Sequence, residues 1–425
     1  MVKIKTVKAR EIFDSRDNPT ISVSCELQNG AIGEASIPSG KSTGMYEALE
    51  LRDHDLNRYK GLGVLNAVNN VNTEINQHIK DKDFNQHTLD QTLIKLDGTE
   101  NKVRLGANAI LGVSLAFAQA CSKEQNIELY EYFGSLIGNS EFRLPQPLLN
   151  IINGGKHSKS KLDLQEFMIV PVGFKSFHEK IEASSLVIFS LKKILEVKNY
   201  TTDLGDEGGF APAFLSNEEA IESIMQAILD ARYSFDQIKI GIDAAASSFY
   251  KNGNYVLKIS GKNKNVNNIE MIKWYENLIQ KYPIIFLEDP LAENDWEGFT
   301  EITQKLGNRI KIVGDDLTVT NVKKIQNAIE KKAINSVLIK LNQIGTISET
   351  VEAIELTKKQ GWFIFISHRS GETMDTTIAD LAVGLSCEYI KAGSLTKKER
   401  ICKYNRLIEI EKIIKKVNNL LNIER

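Results

Sequence analysis

Cysteine is scarce in this chain of 425 residues, which contains only four. No two of them form a CxxC pair, a pattern that fits a reduced cytoplasmic protein with inert thiols rather than a disulfide framework. An excess of charge of one sign is also lacking, because the formal net charge is −2 and the basic runs are short. We therefore expect no nucleic-acid partner.

Long apolar runs are missing as well. Residues 1–16 are charged and strand-like, without the apolar core of a signal peptide. The most apolar long stretch, residues 105–120, is too short for a bilayer and carries Asn108, Ser114 and Gln119. We interpret it as a buried helix and expect a cytoplasmic protein with no membrane partner, although a secondary cell-surface or secreted pool stays open.

The length of the chain favours two domains, because a single core rarely extends this far. Residues 4–38 contain strand patterns, with a predicted strand over Thr20–Leu27 and a hairpin turn at Asn29–Gly30. Residues 44–136 are predicted to be helical, and the remaining residues alternate strands and helices. We predict an α/β protein with a small α+β domain over 1–136, followed by a β/α barrel domain over 137–425.

The most informative pattern in the sequence is a series of apolar runs that each stop at a charged or polar residue. The residues at these stops are Asp243, Glu288, Asp315, Lys340, His368 with Arg369, and Lys391. From Glu288 onward the stops are 27, 25, 28 and 23 residues apart, which is the length of one strand, one helix and two loops. In a β/α barrel, residues at the carboxyl ends of the strands meet at one mouth. The spacing therefore predicts a shared active site.

The residue types at this predicted mouth indicate a chemistry. Asp243, Glu288 and Asp315 would place three carboxylates together, which requires a cation, and hard oxygen ligands favour Mg²⁺ or Mn²⁺. Lys340 and Lys391 would face them. A lysine beside a cation has its pKa lowered and can act as a general base, which suits proton abstraction next to a carboxylate. The alternative is that each residue is an ordinary helix cap or turn residue.

Distinctive stretches occur along nearly the whole chain, from about residue 8 to residue 411, and include LGDEGGFAP, IGIDAAAS, LEDPLAENDW, IKLNQIGT and SHRSGET. These stretches resemble those of the enolase family, and GDEGGFAP, KLNQIGT and SHRSGET are specific to enolase rather than to the wider superfamily. The resemblance implies a small N-terminal domain before an enolase-type modified (β/α)8 barrel. It also implies the Mg²⁺-dependent, reversible dehydration of 2-phospho-D-glycerate to phosphoenolpyruvate in glycolysis and gluconeogenesis.

The resemblance implies two Mg²⁺ ions in each active site. Asp243, Glu288 and Asp315 would hold the first, which also takes the substrate carboxylate. Ser42 would ligate the second. Lys340 would remove the proton from carbon 2 of the substrate, opposite the group that releases hydroxide.

The resemblance also implies the acid and the phosphate ligands. Glu207 would donate a proton to the leaving hydroxide, with Glu166 beside it, and Lys391 would pair with the substrate carboxylate and the aci-carboxylate intermediate. The remaining residues implied at the site bind phosphate or line the pocket: His368, Arg369, Ser370, His157 and Gln165.

The same resemblance implies a homodimer or octamer. Two alternatives to this function stay open: a superfamily enzyme that abstracts a proton beside another carboxylate, and a catalytically silent enolase-like binding or structural protein. A secondary role at the cell surface or in an RNA-degradation assembly stays unresolved.

The chain departs from the family pattern in two loops. Lys41 stands where the family usually has Ala, and Ser158–Ser160 replaces the usual residues after the loop histidine. Because Lys41 and Lys159 add positive charge near the site, we predict that they tighten anion binding or slow product release. Replacing both lysines with Ala should change substrate affinity or turnover in a steady-state assay, and unchanged constants would contradict this prediction.

Overall fold

The structure, a computed structural model, describes residues 1–40, 46–155, 162–259 and 262–423. Two predicted site residues, Ser42 and His157, lie outside the described residues, as do Lys41 and residues 158–160. The account below concerns the described residues.

The N-terminal region begins with a four-stranded antiparallel sheet in the order β3-β2-β1-β4. Its strands are β1 (Val2–Phe13), β2 (Pro19–Leu27), β3 (Ile32–Ser36) and β4 (Asp83–Phe84). The predicted strand over Thr20–Leu27 is confirmed, and the turn to β3 contains Gly30 at a φ of +91°. This backbone conformation suits glycine because it has no Cβ.

Helices cover this sheet on one side. They are α1 (Leu65–Asn70), continued by a π-helical turn (Val71–Ile75), then α2 (Asn76–Ile79), α3 (Gln86–Asp97), α4 (Ala107–Glu124) and α5 (Leu129–Leu136). Almost every residue of α4 is buried, and the helix packs on β2 and β3. The prediction of a buried helix in this apolar stretch is therefore confirmed.

The rest of the chain forms a closed eight-stranded barrel in the order β11-β12-β13-β14-β15-β5-β6-β7. Its strands are β5 (Gln146–Asn153), β6 (Glu166–Pro171), β7 (Ile238–Asp243), β11 (Ile284–Glu288), β12 (Lys311–Gly314), β13 (Ser336–Ile339), β14 (Phe363–Ser367) and β15 (Tyr389–Lys391). β6 runs antiparallel to β5 and β7, whereas the other neighbouring strands of the barrel are parallel. The predicted modified barrel is confirmed.

Helices connect and surround the barrel strands. They are α6 (Phe177–Val197), α7 (Asn217–Asp230), α8 (Asn268–Lys281), α9 (Trp296–Leu306), α10 (Val322–Lys331), α11 (Leu341–Ile344), α12 (Ile347–Lys359), α13 (Thr377–Gly384) and α14 (Lys398–Ile423). A small antiparallel sheet of β8 (Tyr250–Lys251), β9 (Asn254–Ile259) and β10 (Lys262–Val266) lies between β7 and α8. Among the described helices, none combines the length and the hydropathy needed to span a membrane.

The inside of the barrel is filled by apolar side chains, so it is a packed core rather than a pore. These side chains belong to Leu148, Met168, Val170, Phe286, Val313, Leu338 and Phe365. Phe286 pairs in register with Gly241, and two residues further along the same strands Glu288 pairs with Asp243. The aromatic ring therefore lies in the layer directly beneath two carboxylates of the mouth.

We predict that Gly241→Ala destabilises the barrel, because the added methyl group would lie 1.9 Å from Cε1 of Phe286. Overpacking of this kind costs about 1–3 kcal/mol in free energy of unfolding, measurable by urea denaturation. The control is the double variant Gly241→Ala/Phe286→Leu, in which the shorter side chain makes room. Its destabilisation should be smaller than the sum of the two single effects, and full additivity would contradict the clash.

Candidate active site

The strand ends bring the predicted site residues together at one mouth. β7, β11 and β15 end at Asp243, Glu288 and Lys391. Asp315 follows β12, Lys340 follows β13 and His368 follows β14, each by a single residue step. The sequence pattern thus located these strand ends correctly.

The reversed strand β6 adds a further carboxylate. Because β6 is antiparallel to its neighbours, its first residue rather than its last reaches the mouth. Glu166 pairs in register with Asp243 on β7 and with Asn153 on β5. The sheet therefore places Glu166, Asp243 and Glu288 on three adjacent strands. Gln165, just before β6, donates from Nε2 to Oδ2 of Asp243 at 3.3 Å.

The ammonium group of Lys391 lies among these carboxylates. Its Nζ is 2.8 Å from Oε2 of Glu288, 3.2 Å from Oδ2 of Asp243 and 3.0 Å from Oε2 of Glu166. All four side chains are buried, with at most 5% of any of them exposed. One positive charge thus compensates three buried acidic groups.

Burial and mutual repulsion change the pKa values of these acids. Burial, and then the neighbouring Asp243, raise the pKa of Glu288 well above its usual value. Burial and Glu207 raise the pKa of Glu166 in the same direction, and a hydrogen bond with Glu207 adds to the effect. Glu166 and Glu207 therefore form a carboxyl pair that favours retaining a proton.

Lys340 faces Asp315 in a close ion pair. Gln343 fixes the other oxygen of Asp315, to which its Nε2 donates at 2.8 Å. Burial raises the pKa of Asp315, but the ammonium of Lys340 outweighs it and the pKa is lowered. The loop after β12 and the start of α11 therefore hold a fixed acid–base pair.

The carboxylates around the two lysines raise the pKa values of both ammonium groups. The predicted lowering of these pKa values concerned lysines beside a bound cation, and it stays a prediction. Burial lowers the pKa of Lys340, but Asp315 outweighs burial and the pKa is raised. Burial likewise acts against protonation of Lys391, while Asp243, Glu166 and Glu288 together raise its pKa well above the usual value. Both ammonium groups face carboxylates, and it is this proximity that favours their charged forms.

The turn after β14 carries His368, Arg369 and Ser370. The Nη1 of Arg369 donates to Oε2 of Glu47 at 2.9 Å and to Oδ1 of Asn342 at 3.0 Å. Glu47 belongs to the N-terminal region, so the two parts of the chain meet at this arginine. Arg16, also from the N-terminal region, donates from Nη1 to Oγ of Ser370 at 3.2 Å.

Glu207 lies on the other side of His368. Its Oε2 accepts from Nδ2 of Asn150 at 2.9 Å and lies 3.4 Å from Nε2 of His368, which is longer than a usual N–H···O bond. Burial lowers the pKa of His368 from 6.5 to about 4. The imidazole is therefore neutral at physiological pH.

A second acidic group adjoins the mouth. Among the described residues, the acids whose oxygen atoms all lie within 4.8 Å of one another are Asp289, Asp315 and Asp316. Asp289 accepts from the backbone N–H groups of Asp315 at 2.9 Å and Asp316 at 2.7 Å, so its carboxylate also shapes the loop. Burial and Asp315 raise the pKa of Asp316 to about 7. This group and the predicted set of Asp243, Glu288 and Asp315 share only Asp315.

The predicted residues line one cleft, which encloses about 290 Å³ of space between protein atoms, part of it open to solvent. The lining residues are Gln165, Glu166, Glu207, Asp243, Asp315, Lys340, Ser367, His368, Arg369, Ser370 and Lys391. Glu288 lies beneath this lining and contacts Lys391. The structure thus gathers every described residue of the predicted site.

Sequence reasoning missed three groups around the cleft. Glu47 pairs with Arg369, Asn150 donates to Glu207, and Arg400 contacts His368 at 2.6 Å. Asn150 lies inside β5, in the strand-like run before Gly154–Gly155, and Arg400 follows the Lys391 strand end by one short loop. Neither position gives a signal by residue type, because buried Asn and Arg commonly satisfy backbone groups.

The fold and the site together define a β/α-barrel enzyme whose buried acids and lysines meet at the carboxyl ends of the strands. Residues 141–421 match the family model of the enolase C-terminal TIM barrel domain, and residues 4–133 match that of the enolase N-terminal domain. The chain belongs to the enolase family. It is a lyase of the enolase superfamily, and the family is in general Mg²⁺-dependent.

We predict that His368 makes the protein less stable as the pH falls from 6.5 to 4, because burial depresses its pKa between these values. In this window the unfolded chain binds a proton that the folded chain does not, so the stability present above pH 6.5 is lost as the pH falls to the folded pKa. The loss approaches about 3 kcal/mol at the acid end.

Urea denaturation of His368→Gln across the same window tests this. The free energy of unfolding of the variant should fall less steeply with falling pH than that of the parent. The two slopes should differ by an amount that corresponds to the uptake of at most one proton on unfolding. A matched His87→Gln substitution, at an exposed position, should leave the parent's pH dependence unchanged. Equal slopes for His368→Gln and the parent would contradict the prediction.

Proposed function

We propose that this protein catalyses the Mg²⁺-dependent, reversible dehydration of 2-phospho-D-glycerate to phosphoenolpyruvate. The observation that supports this most is that one cleft contains two lysines, a carboxyl pair and an Arg–Ser–His turn around a set of buried carboxylates. A phosphorylated hydroxy acid needs all of these groups: a cation for its carboxylate, a base for its acidic proton, an acid for its hydroxyl and a clamp for its phosphate.

The carboxylates fit a divalent cation by their chemistry. Asp243, Glu288 and Asp315 provide only hard oxygen ligands, and burial together with Asp243 raises the pKa of Glu288, which marks a concentration of negative charge. These residues would hold one Mg²⁺, and Ser42 would contribute to a second. When bound, the ions would stabilise the negative charge that develops on the substrate carboxylate.

Lys340 would act as the base. It lies 25 residues after Asp315 in sequence but in direct contact with it. In its neutral form, favoured when Asp315 is shared with a cation, Lys340 would take the proton from carbon 2. Lys391 would pair with the substrate carboxylate and with the aci-carboxylate intermediate.

The Glu166–Glu207 pair would supply the acid. Because burial and Glu207 raise the pKa of Glu166, the pair favours holding a proton at neutral pH. Glu207 would pass a proton to the leaving hydroxide, so that water departs. Gln165 and Glu166 would complete this side of the substrate pocket.

Arg369, Ser370 and His368 would bind the phosphate, with His157 contributing from its loop. The planar guanidinium of Arg369 suits phosphate oxygens. Its contacts with Glu47 and Asn342 hold its plane in place. For the protein as a whole we propose a cytoplasmic homo-oligomer, at least a dimer.

A direct assay with purified protein tests the reaction and the base together. We expect Mg²⁺-dependent formation of phosphoenolpyruvate that is abolished by EDTA and lowered by at least about 10²-fold in Lys340→Ala. The matched control is Lys311→Ala. Lys311 is also partly buried but lies at the start of β12, at the opposite end of the barrel, over the ring of Phe363. It should retain activity.

The outcomes separate the alternatives. No turnover by the parent, despite Mg²⁺ binding, would favour another substrate or a silent scaffold. Turnover that survives in Lys340→Ala would remove Lys340 from the role of base while leaving the reaction in place.

A further inference from the structure

Arg400 is the largest fully buried side chain among the described residues, and it lies in the first turn of the long helix α14, beneath the active-site turn. Its Nη1 lies 2.6 Å from Nδ1 of His368 and donates to the carbonyl oxygen of Arg369 at 2.6 Å. Its Nη2 donates to the carbonyl oxygens of Ser370 at 2.7 Å and Asp206 at 3.3 Å. One guanidinium therefore connects the phosphate-binding turn with the loop that carries Glu207.

The contact with His368 determines where the imidazole proton lies. A guanidinium has only N–H donors and cannot accept a hydrogen bond. Nδ1 of His368 must therefore be the acceptor, and in the neutral ring the single proton must be on Nε2. The neutral form is the relevant one, because burial lowers the pKa of this imidazole to about 4.

Nε2 is the nitrogen that faces Glu207. It lies 3.4 Å from Oε2 of Glu207, the same oxygen that accepts from Nδ2 of Asn150 at 2.9 Å. With a proton on Nε2, Asn150 and His368 both present donors to this oxygen. In the other tautomer, the Nε2 lone pair would face the same oxygen and would accept a hydrogen bond from a carboxyl proton on it.

We propose that Arg400 is a positioning residue that holds His368 in the Nε2–H tautomer, so that the imidazole donates toward Glu207 and cannot accept a hydrogen bond from its acid proton. The acid proton of Glu207 is thereby directed to Oε1. The tautomer follows from the contacts alone, whereas its catalytic consequence rests on the proposed role of Glu207 as the acid.

A purely structural role is the competing explanation, because Arg400 also holds three backbone carbonyls. Two substitutions of similar length separate the explanations. Arg400→Lys keeps a donor-only group that can still reach Nδ1, whereas Arg400→Met has no donor. Both variants lose the paired contacts to the carbonyls, so a purely structural role predicts similar defects for the two. A role in fixing the tautomer predicts that only Arg400→Met allows the imidazole proton of His368 to occupy either ring nitrogen.

The first readout is ¹⁵N NMR of the histidine rings in ¹⁵N-histidine-labelled protein, with His368→Gln to assign the signals. We expect a protonated Nε2 and an unprotonated Nδ1 at His368 in the parent and in Arg400→Lys, and a mixture of tautomers in Arg400→Met.

Arg406→Gln is the matched control. Arg406 is another mostly buried arginine on α14, which pairs with Asp380 and Glu128 away from the cleft, and its loss should leave the tautomer unchanged. A protonated Nδ1 in the parent would overturn the proposal without any variant.

The second readout is a double-mutant cycle in the dehydration assay. Arg400→Met should lower kcat by about 10²-fold, and Arg400→Lys should recover most of that loss. In a His368→Gln background the difference in kcat between Arg400→Met and Arg400→Lys should disappear, because glutamine has no imidazole tautomer for residue 400 to fix. Equal losses for Met and Lys in the parent background would overturn the catalytic part. Because the NMR readout needs no substrate, failure of the proposed dehydration is distinguishable from failure of the tautomer assignment.

Discussion

The burial of several carboxylates at one end of the barrel is the constraint on which the rest of the structure depends. Glu166, Asp243 and Glu288 lie on adjacent strands and are compensated by a single ammonium, that of Lys391. Removing one partner from such a cluster leaves a buried charge uncompensated, which is far more costly than losing an exposed ion pair. Strand register, the filled barrel interior and the surrounding loops all serve to keep this set of charges in place.

The same constraint explains why the N-terminal region packs over the barrel mouth. Glu47 from that region pairs with Arg369, and both side chains are buried. Lys102, which is also buried, pairs with Glu349 on α12 at 3.0 Å. Because Glu47, Arg369 and Lys102 are buried, the electrostatic interactions that they make are stronger than they would be at an open surface. The smaller region therefore contributes charge compensation as well as covering.

Much of the fold and of the site was predictable from the sequence, because both follow from local patterns. Apolar runs that stop at Asp243, Glu288 or Lys391 identify strand ends, and the barrel places strand ends together. The reversal of β6 was not predictable from the strand pattern, which carries no direction; only the family resemblance implied a modified barrel. The ion pair between Glu47 and Arg369 could not be predicted from sequence spacing, because the two residues are 322 positions apart. The raised pKa of Lys340 depends on its contact with Asp315, a property of the folded site alone.

The reversal of β6 has a consequence for how this barrel can vary. Because β5 and β6 are antiparallel neighbours, the connection between them leaves the mouth at Asn153 and returns to it at Glu166. Both ends of that connection are therefore held at the mouth by one pair of strands. Because the pairing of β5 with β6 does not depend on how many residues join them, the length and charge of the connection can be altered with little effect on barrel closure. Each such change is made directly before Gln165 and Glu166, two residues that line the cleft.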